Sequence, residues 1–251
     1  MTAPLSDKCV LVTGATGSIG CAIARQLAQD GARVVLHCAR SGDAARALAS
    51  DLGDAIAIQA DLSTPDGPTA LWREAEAQMG RIDALVNNAG QLTPSSVDDA
   101  LDDWHRVWAS DIQLNLMAAA DLCRAAIGHF RTHGGGRIVN IASRAGQGGY
   151  RAEAMSYGAT KAALINLTQS IARGFGPDNI QALAIAPGWV RTAMSEAYVA
   201  EHGPAAALAG IPTGRMAETD EVAELVAFVL RPSQVSLSGA VLDVNGASQM
   251  R

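Results

Sequence analysis

The chain of 251 residues is 49% hydrophobic but only 4% aromatic, and 19 basic against 25 acidic residues leave a formal charge of −6. This length suits one α/β domain, the acidic balance without a basic run excludes a protein that neutralises a nucleic-acid backbone, and no stretch approaches the ~20 apolar residues that span a bilayer. Cys9, Cys21, Cys38 and Cys123 lack metal-like spacing and the N-terminus lacks a signal-peptide pattern, so a soluble cytoplasmic protein without zinc or disulfides is expected.

In chain order, short β-branched runs predict strands at 9–13, 33–38, 55–59, 84–87, 137–141, 181–185 and 241–244. Amphipathic, Ala-rich segments between them predict helices at 19–30, 44–52, 68–79, 104–130, 157–175 and 220–230. This alternation predicts a single-domain Rossmann fold over 1–251, a doubly wound seven-stranded parallel sheet flanked by helices. Ligands in such sheets bind beyond the carboxyl ends of the strands, so the residues just after each strand are the functional candidates. Residues 195–213, with Pro204 and Pro212, interrupt the rhythm before the last helix and are expected to form a substrate lid.

After the first strand comes Thr13-Gly14-Ala15-Thr16-Gly17-Ser18-Ile19-Gly20. Glycines there let the backbone turn sharply and approach a pyrophosphate, whose charge meets the amides at a helix N-terminus. The segment resembles the TGxxxGxG motif of the short-chain dehydrogenase/reductase family, and the likeness runs over nearly the whole chain. One departure is plain: the motif's middle glycine is Ser18, with Gly17 one place earlier. The resemblance implies cofactor contacts from Gly14, Thr16, Gly17, Ser18 and Ile19, those at Ser18 being less secure.

The second strand ends His37-Cys38-Ala39-Arg40-Ser41, without the carboxylate that an NAD site uses to hold the adenosine ribose. Arg40 and Ser41 suit a 2′-phosphate, so NADP(H) is expected over NAD(H). By resemblance, Asp61 and Leu62 form the adenine-contacting pair, and Asn88, Ala89 and Gly90 of Asn87-Asn88-Ala89-Gly90 line the cofactor. Pro187, Gly188, Val190 and Thr192 match the PGxVxT element, whose last two members meet the nicotinamide carboxamide.

Tyr157 and Lys161 stand at i and i+4, neighbours on one helix face, where a positive charge favours the phenolate of a tyrosine otherwise titrating near 10. Ser143 follows the fifth strand and can project at the same edge. The resemblance makes Tyr157 the general acid/base, Ser143 a donor to the substrate carbonyl, and Lys161 a ligand of the cofactor ribose. It also requires an asparagine that holds a relay water. Counting from Trp104 puts Asp111 there, while counting from Trp108 gives Asn115, the register that the following Leu116–Ala126 matches.

These expectations describe an NADP-dependent ketoreductase, with stretches at 211–215 and 239–246 that resemble 3-oxoacyl-carrier-protein reductases. An NAD-dependent alcohol dehydrogenase working oxidatively is the alternative, and a non-catalytic dinucleotide-binding sensor or scaffold is a third reading. The resemblance further implies a homotetramer or homodimer acting on a small ketone or alcohol. Because the lid lacks a cationic cluster, a neutral or apolar ketone is expected, and Arg144, Arg151 and Arg191 are the cations that would alter this if one pointed inward.

Overall fold

The computed structural model describes residues 3–250. Its centre is one parallel sheet of seven strands, β1 (Cys9–Val12), β2 (Arg33–Cys38), β3 (Ala55–Gln59), β4 (Ala84–Asn87), β5 (Gly136–Ile141), β6 (Ile180–Pro187) and β7 (Val241–Val244), ordered β3-β2-β1-β4-β5-β6-β7. The order reverses between β1 and β4, which opens a crevice at their carboxyl ends, as in Rossmann folds.

Alternate residues of each strand point to opposite faces, so two cores form. Val10, Val12, Val34 and Leu36 share one with Ile23 and Leu27 of α1 (Ser18–Gln29), Leu48 of α2 (Gly42–Leu52) and Val222 and Val226 of the helix Thr219–Leu230. Cys9, Leu11, Val35 and Leu85 share the other with Leu71 and Trp72 of α3 (Gly67–Met79) and with Leu122 and Phe130 of the helix Ala118–Thr132. Each fully buried aliphatic side chain contributes about 1.5–3 kcal/mol, so this two-sided burial is what fixes the sheet's register.

The segment read as one helix over 104–130 is divided. α4 (Leu101–Ile112) passes through a π-helical turn, Gln113–Met117, into α5 (Ala118–Thr132). After the short α6 (Ala145–Gly148) comes α7 (Met155–Phe175). Residues expected to be irregular after β6 instead form α8 (Ala193–His202) and α9 (Pro204–Leu208), before α10 (Thr219–Leu230) packs against α1. No helix of the described residues is long and apolar enough to cross a membrane.

Candidate active site

At the carboxyl end of β1 the chain turns at Gly14, which has φ 65°, a conformation glycine adopts without strain. The turn is held from beneath: the Gly14 amide donates to His37 Nδ1 at 3.1 Å and the Ala15 amide to the His37 carbonyl at 2.9 Å. α1 then begins with Gly17 at its N-cap and no capping side chain, leaving its first amides available to an anion. Gly20 lies so close to the Gly14 carbonyl that a methyl group there would collide with it. Thr16 and Ile19 are partly exposed, and Gly17 and Ser18 are exposed, along this cradle.

Thr13, which the sequence reading did not single out, joins the turn to the loop after β4. Its hydroxyl accepts from the amides of Asn88 and Ala89, both at 2.9 Å, while Asn88 Nδ2 donates to the Thr13 carbonyl at 2.9 Å. Asn88 and Ala89 therefore stand against Gly14, across the switch point between β1 and β4.

Beyond β2, Cys38 is buried and Arg40 and Ser41 are exposed, so the strand end presents a cation and a hydroxyl and no carboxylate. Asp61 is exposed, and hydrogen bonds from the Ser63 hydroxyl and amide hold its carboxyl below the usual range, with Arg40 assisting. The Leu62 side chain is buried with Leu71 and Trp72.

Ser143, Tyr157, Lys161 and Asn115 converge between the ends of β4 and β5. Ser143 is buried; its hydroxyl accepts from the Ala145 amide at 3.1 Å and lies near enough to the Tyr157 phenol to act on its pKa. Tyr157 keeps part of its surface accessible, yet crowding around its hydroxyl raises its pKa; the Ser143 hydroxyl opposes that rise, and Tyr150 and Asp111 add to it. The direction is opposite to that expected from the Tyr157–Lys161 spacing. The Lys161 ammonium lies 5.7 Å from the Tyr157 ring centroid and donates to the Ile141 carbonyl at 2.8 Å, and its own burial lowers its pKa to about 8.

Asn115 sits in the π-helical turn and is fully enclosed. Its Oδ1 accepts from the Gln91 amide at 2.8 Å, and its Nδ2 donates to the Gln91 carbonyl at 2.9 Å and to Thr160 Oγ1 at 3.2 Å. A methyl on Gly90 would meet Asn115 Oδ1 at 3.1 Å and Lys161 Nζ at 3.3 Å, which places these two residues on one wall. Asp111 is instead a buried acceptor for Ser156 Oγ at 2.7 Å, Thr93 Oγ1 at 2.9 Å and Gln91 Nε2 at 3.1 Å. The Ser156 hydroxyl is thereby engaged by Asp111.

After β6, the Pro187 carbonyl accepts from the Arg144 amide at 2.9 Å and the Gly188 amide donates to the Val244 carbonyl at 2.9 Å, which ties this segment to the Ser143 loop and to β7. Val190 is buried and bridges to Ala217. Thr192 is engaged as the N-cap of α8, its hydroxyl accepting from the Ser195 amide at 3.3 Å. Trp189 packs its ring on Tyr198 of α8, with centroids 4.8 Å apart.

Residues 8–203 match the family model described as short chain dehydrogenase. The chain is 36% identical to cis-4-hydroxycyclohexanecarboxylate dehydrogenase of Sinomonas cyclohexanicum over 96% of each chain. It is 33% identical to the 3-oxoacyl-[acyl-carrier-protein] reductase of Vibrio cholerae, over 98% of this chain and 99% of that one. The crystal structure of 3-ketoacyl-(acyl-carrier-protein) reductase from Brucella melitensis complexed with NADH superposes with a TM-score of 0.87 at 28% identity, covering 98% of this chain and all of that one. A glycine turn at the first strand, a Ser-Tyr-Lys cluster at the same sheet edge and these matches along the whole length lead to one conclusion: the chain belongs to the short-chain dehydrogenase family of oxidoreductases.

Proposed function

We propose that the protein reduces a ketone to a secondary alcohol with NADPH, Tyr157 serving as the proton donor. The observation that carries this reading is that Ser143 lies near enough to the Tyr157 phenol to oppose the rise in its pKa, beside Lys161 and across the switch point from the glycine turn. Two hydroxyls converging on one point can both bind a carbonyl oxygen, and preorganised donors of that kind are worth ~2.7–4 kcal/mol each in a transition state. A phenol kept neutral by burial has its proton available for the developing alkoxide.

The residues fit a dinucleotide. The uncapped amides of α1 suit its pyrophosphate, assisted by Thr16, Gly17, Ser18 and Ile19, and Gly14 keeps the backbone low enough for close approach. Arg40 and Ser41 would take a 2′-phosphate, Asp61 and the Leu62 backbone would face the adenine, and Asn88 to Gly90 with Pro187 to Thr192 would border the nicotinamide. A bound nicotinamide supplies the hydride. Lys161 would hold the ribose beside it, and a water at Asn115, whose Oδ1 accepts from the Gln91 amide and has a second lone pair, would carry protons from Lys161. We assign α8 and α9 as the lid of a single catalytic domain.

A second reading is NAD-linked oxidation of an alcohol through the same atoms, and it draws on the relative named as a dehydrogenase and the relative solved with NADH. Oxidation of NADPH and NADH should be measured against 4-oxocyclohexanecarboxylate, acetoacetyl-CoA and simple ketones, using wild type and Arg40→Ala. An NADPH preference that Arg40→Ala removes is expected. An NADH preference indifferent to Arg40→Ala favours the second reading.

A further inference from the structure

Arg151 occupies a distinctive place beside the cleft. Its guanidinium carbon lies 5.2 Å from the ring centroid of Tyr150 and 5.1 Å from that of Tyr198, so it is flanked by one aromatic from the loop before α7 and one from α8. The Tyr150 ring is 6.2 Å from that of Tyr157, and the Tyr198 ring packs on Trp189. The loop after β4 closes on the same turn, the Ser95 amide donating to the Glu153 carbonyl at 2.9 Å. Two loops and α8 thus meet around one cation.

That cation is under-used. Arg151 Nε is buried without a hydrogen bond, and the ion pair it makes, with Glu153 at 3.2 Å, involves a carboxylate that is 51% exposed and can swing into water. Arg191, by contrast, is spent on Glu196 at 2.9 Å and Glu218 at 3.2 Å. A guanidinium stacked between rings keeps its in-plane N–H fork free, and that fork matches a carboxylate bidentately. Tyr150, whose ring lies between Arg151 and Tyr157, would offer apolar contact to a short body between the reacting carbonyl and the charge.

Resting on the ketoreductase reading above, we propose that the substrate is a short keto acid whose carboxylate is bound by Arg151. Arg151 is then a specificity-determining residue, and the neutral ketone expected from the lid composition is the poorer substrate. The cation lies one ring stack from Tyr157, too near for the phosphates at the far end of a carrier thioester's long arm.

The test compares 4-oxocyclohexanecarboxylate with its methyl ester, which share a carbonyl and differ in charge, and adds acetoacetyl-CoA as the phosphate-bearing probe. Wild type should favour the acid over the ester in kcat/KM by about tenfold or more, as a charge-assisted hydrogen bond does. Arg151→Gln should bring that ratio toward one through KM, and Arg151→Lys should restore part of it, with melting curves confirming that both variants fold. An ester used as well as the acid, or a ratio that Arg151→Gln leaves unchanged, overturns the proposal. A response to Arg151→Gln confined to acetoacetyl-CoA overturns it in favour of a phosphate. Turnover of none of the three with either dinucleotide overturns the ketoreductase reading along with it, whereas reduction of the ester without preference for the acid defeats the keto-acid proposal alone.

Discussion

His37 supports the glycine turn through its ring: Nδ1 accepts from the Gly14 amide at 3.1 Å while Nε2 faces the Ala60 carbonyl at 3.0 Å. Those partners require the neutral tautomer with its proton on Nε2. Burial lowers the His37 pKa below 6.5, against the opposing pull of the Ala60 hydrogen bond and the Asp61 charge. A histidine with a depressed folded pKa contributes stability that is fully present above its unfolded value and lost as the pH falls toward the folded one. Melting temperature and dinucleotide affinity should therefore both decline as the pH is lowered from about 6.5, because a protonated ring can no longer accept from Gly14. His37→Asn should flatten that decline, while His37→Ala should weaken cofactor binding severalfold at neutral pH. An affinity independent of His37 at every pH would separate the ring from the turn.

Tyr157→Phe keeps the ring and removes the proposed proton donor. We expect kcat to fall by about 10²–10⁴ while fluorescence titration still detects NADPH binding. Ser143→Ala should cost ~10²–10³ in kcat by deleting one of the two proposed carbonyl donors. Near-normal turnover by Tyr157→Phe would remove Tyr157 from the chemistry.

Glycine positions in the turn should respond unequally. Gly17 has φ −76° and its nearest neighbour to an added methyl, the Gly14 carbonyl, is at 3.4 Å, so Gly17→Ala should leave NADPH affinity within about twofold. At Gly20 the same methyl strikes the Gly14 backbone, and Gly20→Ala should abolish measurable binding and lower the melting temperature. Equal tolerance at both positions would mean that the turn and α1 are not locked together.

Much of this was readable from residues because the signals are local. Strands 33–38, 55–59, 84–87 and 241–244 coincide with the predicted bounds, since short apolar runs flanked by turn and helix signals have sharp edges. The Tyr157–Lys161 and Asn88–Gly90 elements lie where strand ends must put them. Periodicity could not reveal the π-helical turn, because a single extra residue per turn in an otherwise helical segment leaves the apolar pattern almost unchanged. It is this turn that separates Asn115 from Asp111. α8 was missed for a different reason: among its residues Ser195 is buried and the others are at least partly exposed, so it lacks an apolar stripe. The roles of His37, Thr13 and Arg151 depend on partners in other strands and loops, which no local pattern records.

Asp111 tests that register. As a buried acceptor of three hydrogen bonds it joins α4 to the loop at 91–93 and to the residue before Tyr157. Asp111→Ala should destabilise the fold by about 3 kcal/mol in urea titration, because donors from Gln91, Thr93 and Ser156 lose their partner. Since the Asp111 charge helps to raise the Tyr157 pKa, Asp111→Asn should also shift the alkaline limb of the kcat/KM profile to lower pH. Asn115→Ala should leave that limb in place while reducing turnover, as it releases the Gln91 backbone and Thr160 without changing a charge.

Lys161 separates catalysis from stability. Burial lowers its pKa from 10.5 to about 8, so the fold disfavours its charged form relative to the unfolded chain. The sign is that of a depressed cation: the unfolded state takes up the proton first as the pH falls through 10.5, and stability declines until the folded pKa is reached. At neutral pH the protein bears this cost in full, offset in part by the hydrogen bond to the Ile141 carbonyl. Lys161→Met fills similar volume without a charge. It should abolish ketone reduction, yet its melting temperature relative to wild type should be higher at about pH 7 than at about pH 10, where the wild-type amine is already neutral in the folded state. A relative melting temperature that does not change between those two pH values would show that Lys161 keeps its ordinary pKa in the fold, its charge fully compensated in the pocket, and would remove burial as the force on its titration.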